Sequence, residues 1–196
     1  KVILFSVDFH EIERLQHAGD WDAAGAVLAD AARALERAGA DCLVLCTNTM
    51  HKVAAAIESA VAIPLLHIAD PTAAAIKAAG VTCVGLLGTR FTMEQDFYRA
   101  RLEARHGLRV LVPGAPERDT VHRIIYEELC LGQILPASRE AYRAVMAQLV
   151  AQGAQAIILG CTEISLLVDA RDSSVPLFDT TAIHAVSAAQ WALQAA

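Results

Sequence analysis

Residues 43–51 read LVLCTNTMH and residues 157–165 read IILGCTEIS. In each, a short run of Val, Ile and Leu delivers a Cys-Thr pair into a polar turn that opens a helix-like segment. Cys46 and Cys161 therefore stand where a strand stops and a helix begins. The N–H groups and positive dipole end exposed there favour a thiolate and an anionic ligand. Two such ends in one chain predict a pair of thiols facing one site.

Outward from these stretches, the chain alternates strand and helix. Residues 2–7 (VILFSV) read as a buried strand. A helix starts near Glu11, and a second is capped by Asp20 and stopped at Gly39, with Ala24, Val27, Leu28, Ala31 and Leu35 at helical spacing. Further strands fall at residues 42–46, 63–68, 81–87, 109–112, 157–159 and 175–178. Helices are expected at 50–59, from Asp70 with Pro71 in its first position, at 93–105, 118–131, 138–152 and 181–195. Strands that are continuous apolar runs, separated by helices, are the pattern of parallel sheets covered on both faces.

The two halves overlay. Gly39 precedes Cys46 by seven residues and Gly153 precedes Cys161 by eight; Pro64 follows Cys46 by 18 and Pro176 follows Cys161 by 15. This internal duplication predicts an α/β fold of two pseudo-symmetric lobes, each a mostly parallel four-stranded sheet flanked by helices. Residues 1–66 with 177–196 would form lobe 1 and residues 67–176 lobe 2. In open parallel sheets the ligand crevice lies beyond the carboxyl ends of the strands, where both cysteines sit. Lys1 leads straight into an apolar strand, so an N-terminal strand is expected to be missing.

The 196 residues, 55% hydrophobic and 19% charged, can bury a sizeable core. A net charge of −6 argues against nucleic-acid and anionic-membrane partners. No apolar run approaches the roughly 20 residues of a membrane span and no signal peptide is visible, so the cytoplasm is the default. Five cysteines at unpaired spacings do not read as a disulfide framework. Cys42 and Cys83 within strands and Cys130 within a helix read as structural, and His67 and His184 as hydrogen-bonded structural residues. Cys46 with His51 lacks a third and fourth ligand at usable spacing for a metal. The glycines at 85 and 88 lack the rest of a dinucleotide motif.

A thiolate on one face of a substrate carbon and a thiol on the other form a two-base proton exchanger, which inverts a stereocentre without metal or redox cofactor. Thr47, Asn48, Thr162 and nearby N–H groups would hold a carboxylate and stabilise developing enediolate charge.

CTNTMH at 46–51, HIAD at 67–70, GLLGTRFTM at 85–93, YEEL at 126–129 and GCTEI at 160–164, in that order, resemble the aspartate/glutamate racemase superfamily, specifically its aspartate racemase branch. The resemblance implies two α/β lobes with the site in the cleft between them, a homodimer, and cofactor-independent racemisation of an amino acid. Cys46 and Cys161 would be the acid/base thiols, with Thr47, Asn48, Thr89, Thr92, Met93, Thr162 and Glu163 lining the pocket. The Arg and Lys that grip two carboxylates in archaeal aspartate racemases are absent: the matching stretches read VDFHEI at 7–12 and ELC at 128–130. A broader amino-acid substrate is therefore open beside aspartate. So are the isomerisation or decarboxylation chemistry of maleate isomerase and arylmalonate decarboxylase relatives, and a small-acid binding protein without catalysis.

Overall fold

Every strand pair in the computed structural model, which describes residues 1–194, is parallel. The chain divides into two units: Lys1–Leu45 with Met50–His67, and Cys46–Thr49 with the chain from Ile68 onward.

The first unit contains α1 (Phe9–Ala18), α2 (Trp21–Arg37), β1 (Leu43–Val44), α3 (Ala54–Glu58) and β2 (Leu65–Leu66). Asp8 caps α1 by accepting from the His10 N–H, and Asp20 caps α2 by accepting from the Ala23 N–H. Helical spacing turns Ala24, Leu28 and Ala32 to one face, where they meet Ile12, Leu15, Leu43, Val53 and Ile57. The Glu36 carboxylate accepts from the N–H groups of Ala62 (2.7 Å) and Ile63 (3.3 Å), tying the end of α2 to the approach to β2. The sheet here is β1 paired with β2 alone, not the four strands expected. Residues 2–7 form no strand: Val2 is 94% and Leu4 82% exposed. Apolar β-branched composition expresses strand preference only beside a ladder partner, and the two-stranded sheet extends no ladder to this segment.

The second unit holds α4 (Ala69–Ala78), β3 (Cys83–Gly88), α5 (Arg90–Glu94), α6 (Asp96–His106), β4 (Arg109–Leu111), α7 (Ala115–Glu127), α8 (Pro136–Ala151), β5 (Ala156–Gly160), α9 (Ile164–Leu167), β6 (Leu177–Asp179) and α10 (Thr180–Gln194). Its four strands run in the order β4-β3-β5-β6. Successive strand residues point to opposite faces. Val84, Leu86, Ala156 and Ile158 therefore pack with Ile68, which precedes α4, and with Ile76, Tyr98 and Leu102 of α4 and α6, while Leu87, Ile157 and Leu159 pack with Ile125, Tyr142 and Leu149 of α7 and α8. Burial on both faces is why β3 and β5 read as unbroken apolar runs.

Residues 177–194, assigned from the sequence to the first lobe, belong to the second unit: β6 pairs with β5 and α10 packs on α4. The expected end of the last helix, Ala195, lies outside the described residues. Asp70 is not the cap of α4 but part of its first turn, because Arg101 donates to it twice (2.7 and 2.6 Å) and His106 Nε2 lies 3.0 Å away. Cys83 is buried on β3 as expected, whereas Cys130 lies in a 3₁₀ turn (Leu129–Leu131) and is exposed.

Candidate active site

The carboxyl ends of β3, β5 and β6 lie side by side, and each delivers a polar residue: Thr89 after β3, Cys161 after β5 and Thr180 after β6. Glycines make the first two ends fit. Gly88 and Gly160 are register partners. A Cβ on Gly88 would stand 2.8 Å from the Gly160 carbonyl oxygen, and one on Gly160 would stand 2.7 Å from that of Leu87. Backbone meets backbone there, so neither position accepts a side chain without movement.

The segment Cys46–Thr49 crosses these ends and is anchored on both sides of β5. On one side the Asn48 Nδ2 donates to Thr180 Oγ1 at 3.0 Å, and the Thr180 hydroxyl donates to the Leu159 carbonyl of β5 at 2.9 Å. On the other, Thr49 Oγ1 lies 2.9 Å from Thr89 Oγ1 and 3.4 Å from Thr92 Oγ1, with 3.3 Å between the last two. Thr89 also caps α5, accepting from the Thr92 N–H at 3.3 Å. Asn48, Thr49, Thr89, Thr92 and Thr180 are all buried.

Because Thr180 spends its hydrogen on Leu159, it can only accept from Asn48, which settles the amide orientation. The Asn48 side-chain oxygen is then left with no hydrogen-bond partner although the residue is 3% exposed. An unsatisfied buried acceptor costs about 1–3 kcal/mol, a cost that a donor from a bound molecule would remove.

Cys161 is 9% exposed, at the edge of the core cluster that contains Tyr142 and Leu159. Its Sγ donates to Glu163 Oε2 at 2.9 Å, and the Thr162 hydroxyl donates to the same oxygen at 2.6 Å. Burial pushes the thiol well above its ordinary range, and the Glu163 charge and hydrogen bond add to the shift; Cys130 contributes a smaller part. The sequence leaves open which of the two thiols is the protonated one; burial beside Glu163 favours the protonated form at Cys161. The four-residue helix α9 does not outweigh desolvation beside a carboxylate, and Cys161 rests as a thiol. Cys46, by contrast, is exposed.

Of the residues expected from the sequence, Asn48, Thr89 and Thr92 are joined by hydrogen bonds around the 46–49 segment, with Thr49 and Thr180 as additional members. Thr162 and Glu163 are joined to Cys161. Thr47 is half-buried, and Met93 is buried with Leu87, Val121 and Ile125. Thr49 lies inside CTNTM and was within reach of sequence reasoning. Thr180 carries no local signal, since its role depends on β6 lying beside β5. In the first unit the rings of His51 and His67 meet with centroids 4.3 Å apart. Among the described residues no group of three His, Cys, Asp or Glu side chains could hold a metal ion, and no helix is long and apolar enough to cross a membrane.

Fold and site together define a parallel α/β protein with a polar site, rich in thiols and hydroxyls, at the carboxyl ends of its strands. The chain belongs to the Asp/Glu/Hydantoin racemase family, which it matches over residues 2–188. It is similar to the broad specificity amino-acid racemase RacX of Bacillus subtilis (strain 168), with 25% identity over 176 residues, 86% of this chain and 72% of that protein. Among solved structures, a Yersinia pestis protein assigned to the Asp/Glu racemases is 62% identical, with a TM-score of 0.91 over 98% of this chain and 84% of that one. An aspartate racemase homologue from Pyrococcus horikoshii OT3 is 37% identical, with a TM-score of 0.83 over 97% and 82%. The expected α/β class, with parallel sheets flanked by helices, is the observed one.

Proposed function

We propose that the protein is a PLP-independent amino-acid racemase in which Cys46 and Cys161 work from opposite faces of the substrate Cα. The observation that carries this reading is the double anchoring of the Cys46–Thr49 segment, to Thr180 beyond β6 and to Thr89 beyond β3. β5 and its Cys161 lie between those two strands in the sheet. Asn48 and Thr49 are thus pinned on either side of β5, and Cys46, two residues before Asn48 on the same segment, is read as the thiol that faces Cys161.

In the forward direction the Cys46 thiolate removes the α-proton while the Cys161 thiol donates one from the opposite face. One C–H bond breaks as another forms, and configuration inverts. The orphaned Asn48 oxygen accepts from the substrate ammonium, and the Thr89 and Thr162 region supplies donors to the carboxylate as enediolate charge develops. The charged group within hydrogen-bond reach of Cys161 is a carboxylate, Glu163, and the Arg and Lys of the archaeal enzymes are replaced. Together with the likeness to a broad specificity racemase, this favours substrates beyond aspartate.

The test is a panel of single enantiomers incubated with the protein and analysed by chiral chromatography. Conversion to the mirror image, abolished by Cys46→Ser and by Cys161→Ser, is the expected result. A panel in which no enantiomer converts overturns the reading, and conversion to a decarboxylated or isomerised diacid replaces it by the related chemistries.

A further inference from the structure

We propose that His122 of α7 is a positioning residue for the site: its Nδ1 accepts the Arg90 backbone N–H at the start of α5 and so sets where Thr89 presents its hydroxyl. The inference rests on the reading of Thr89 as a donor to the substrate carboxylate. The bond is 3.2 Å long and joins residues 32 positions apart. The first N–H groups of a helix have no acceptor within it. In α5 the Thr92 N–H is met by the Thr89 hydroxyl and the Met93 N–H by the Thr89 carbonyl, while the Arg90 N–H is met from outside by the imidazole. A ring nitrogen that accepts carries no hydrogen, so the neutral ring holds its proton on Nε2.

The ring itself is held by two others. Tyr126, one turn further along α7, lies 4.7 Å from it between centroids, and Phe91 of α5 meets it edge-on at 6.1 Å. Arg90 Nη2 with Asp119 Oδ1 (2.8 Å) and Arg118 Nε with Glu94 Oε1 (3.0 Å) also tie α5 to α7. Both pairs end on long, partly exposed side chains, and such pairs restrain a backbone weakly. Of these links the His122 bond is the one that ends on the backbone of α5. It acts one peptide unit from Thr89, whose hydroxyl lies 2.9 Å from that of Thr49. A hydrogen bond of that length is lost on a displacement of about 1 Å, and an error of that size in a substrate-positioning group can cost about a hundredfold in rate.

The test compares the unaltered full chain with His122→Asn, whose Oδ1 can stand where Nδ1 stood, and with His122→Phe, which keeps a ring beside Phe91 and Tyr126 but removes the acceptor. In the unaltered protein, nitrogen NMR of the imidazole at about pH 8.5, where an ordinary histidine is neutral, should show hydrogen on Nε2 and none on Nδ1. Exchange of the Arg90 amide hydrogen with D₂O should be about tenfold faster in His122→Phe and stay within about threefold of the unaltered rate in His122→Asn. With a racemised amino acid, kcat should fall about tenfold or more in His122→Phe while KM stays within about threefold, and His122→Asn should recover most of the loss. Hydrogen found on Nδ1 overturns the proposal, as does an unchanged kcat in His122→Phe or a loss that His122→Asn does not repair. The NMR measurement needs neither variant nor substrate, so it decides the contact even where His122→Phe does not fold. A protein that racemises nothing overturns the reaction and the kinetic consequence assigned to His122, whereas the NMR and exchange results then stand for the contact with Arg90 alone.

Discussion

Asn48 and Thr180, 132 positions apart in the chain, are joined by a 3.0 Å hydrogen bond in which the amide donates to the hydroxyl. Thr180 passes its own hydrogen to the Leu159 carbonyl, two residues before Cys161. The segment that carries one cysteine is thus fastened to the strand that carries the other, through groups shielded from water.

Thr180→Val removes the link while keeping the shape of the side chain. The buried Asn48 amide then loses its Thr180 partner, and the protein loses about 1–3 kcal/mol of stability. Urea denaturation measures this. A neutral effect would show that the link is dispensable.

Asn48→Ala removes the acceptor assigned to the substrate ammonium. One lost hydrogen bond to a charged group is expected to raise KM by about tenfold, with a smaller change in kcat. Steady-state kinetics on whichever amino acid the panel identifies reads the effect, and an unchanged KM would remove Asn48 from the binding site.

Gly160→Ala places a Cβ 2.7 Å from the Leu87 carbonyl oxygen. The obstacle is backbone, so the ends of β3 and β5 must part. Overpacking of this kind costs about 1–3 kcal/mol and displaces the neighbouring Cys161. Thermal melting and residual activity should fall together; an unaffected Tm would show that the strand ends have room.

Stability should decline in alkali. The folded Cys161 thiol and Tyr142 phenol are raised above their ordinary values of 9.0 and 10.0, in both cases chiefly by burial. Below about pH 9 folded and unfolded chains both keep the Cys161 proton. Above it the unfolded thiol ionises first, and stability falls by up to about 1.4 kcal/mol per pH unit per group. Tyr142 adds its share above about pH 10. Urea midpoints across this range should fall more gently in Cys161→Ala, and parallel curves for the two proteins would contradict the burial of the thiol.

How much of this was legible in the sequence depends on how local each cause is. The strand ends at Cys46 and Cys161 announce themselves because apolar run, Cys-Thr pair and helix start are contiguous. The parallel α/β class follows from β3 and β5 being apolar at every position. Residues 2–7 misled because a strand needs a partner, and partners are not written in the segment itself. Asp70 misled for a similar reason: its Asp-Pro context is that of a cap, but Arg101 and His106, some 31 and 36 residues on, decide what it bonds. Thr180 was invisible until β6 was seen beside β5, and the same placement moved residues 177–194 into the second unit. Which thiol is the protonated one is left open by the sequence, because a helix N-terminus can be recognised there at both cysteines, whereas desolvation beside Glu163 requires coordinates.

The central claim is that two thiols act on opposite faces of one carbon. It is tested most directly by racemising a single enantiomer in D₂O and following deuterium in each enantiomer separately at early times. Two bases predict that the newly formed enantiomer carries solvent deuterium at Cα while the remaining substrate keeps its protium. Protium carried over into the product, or deuterium appearing equally in both enantiomers from the start, would contradict the pairing of Cys46 with Cys161.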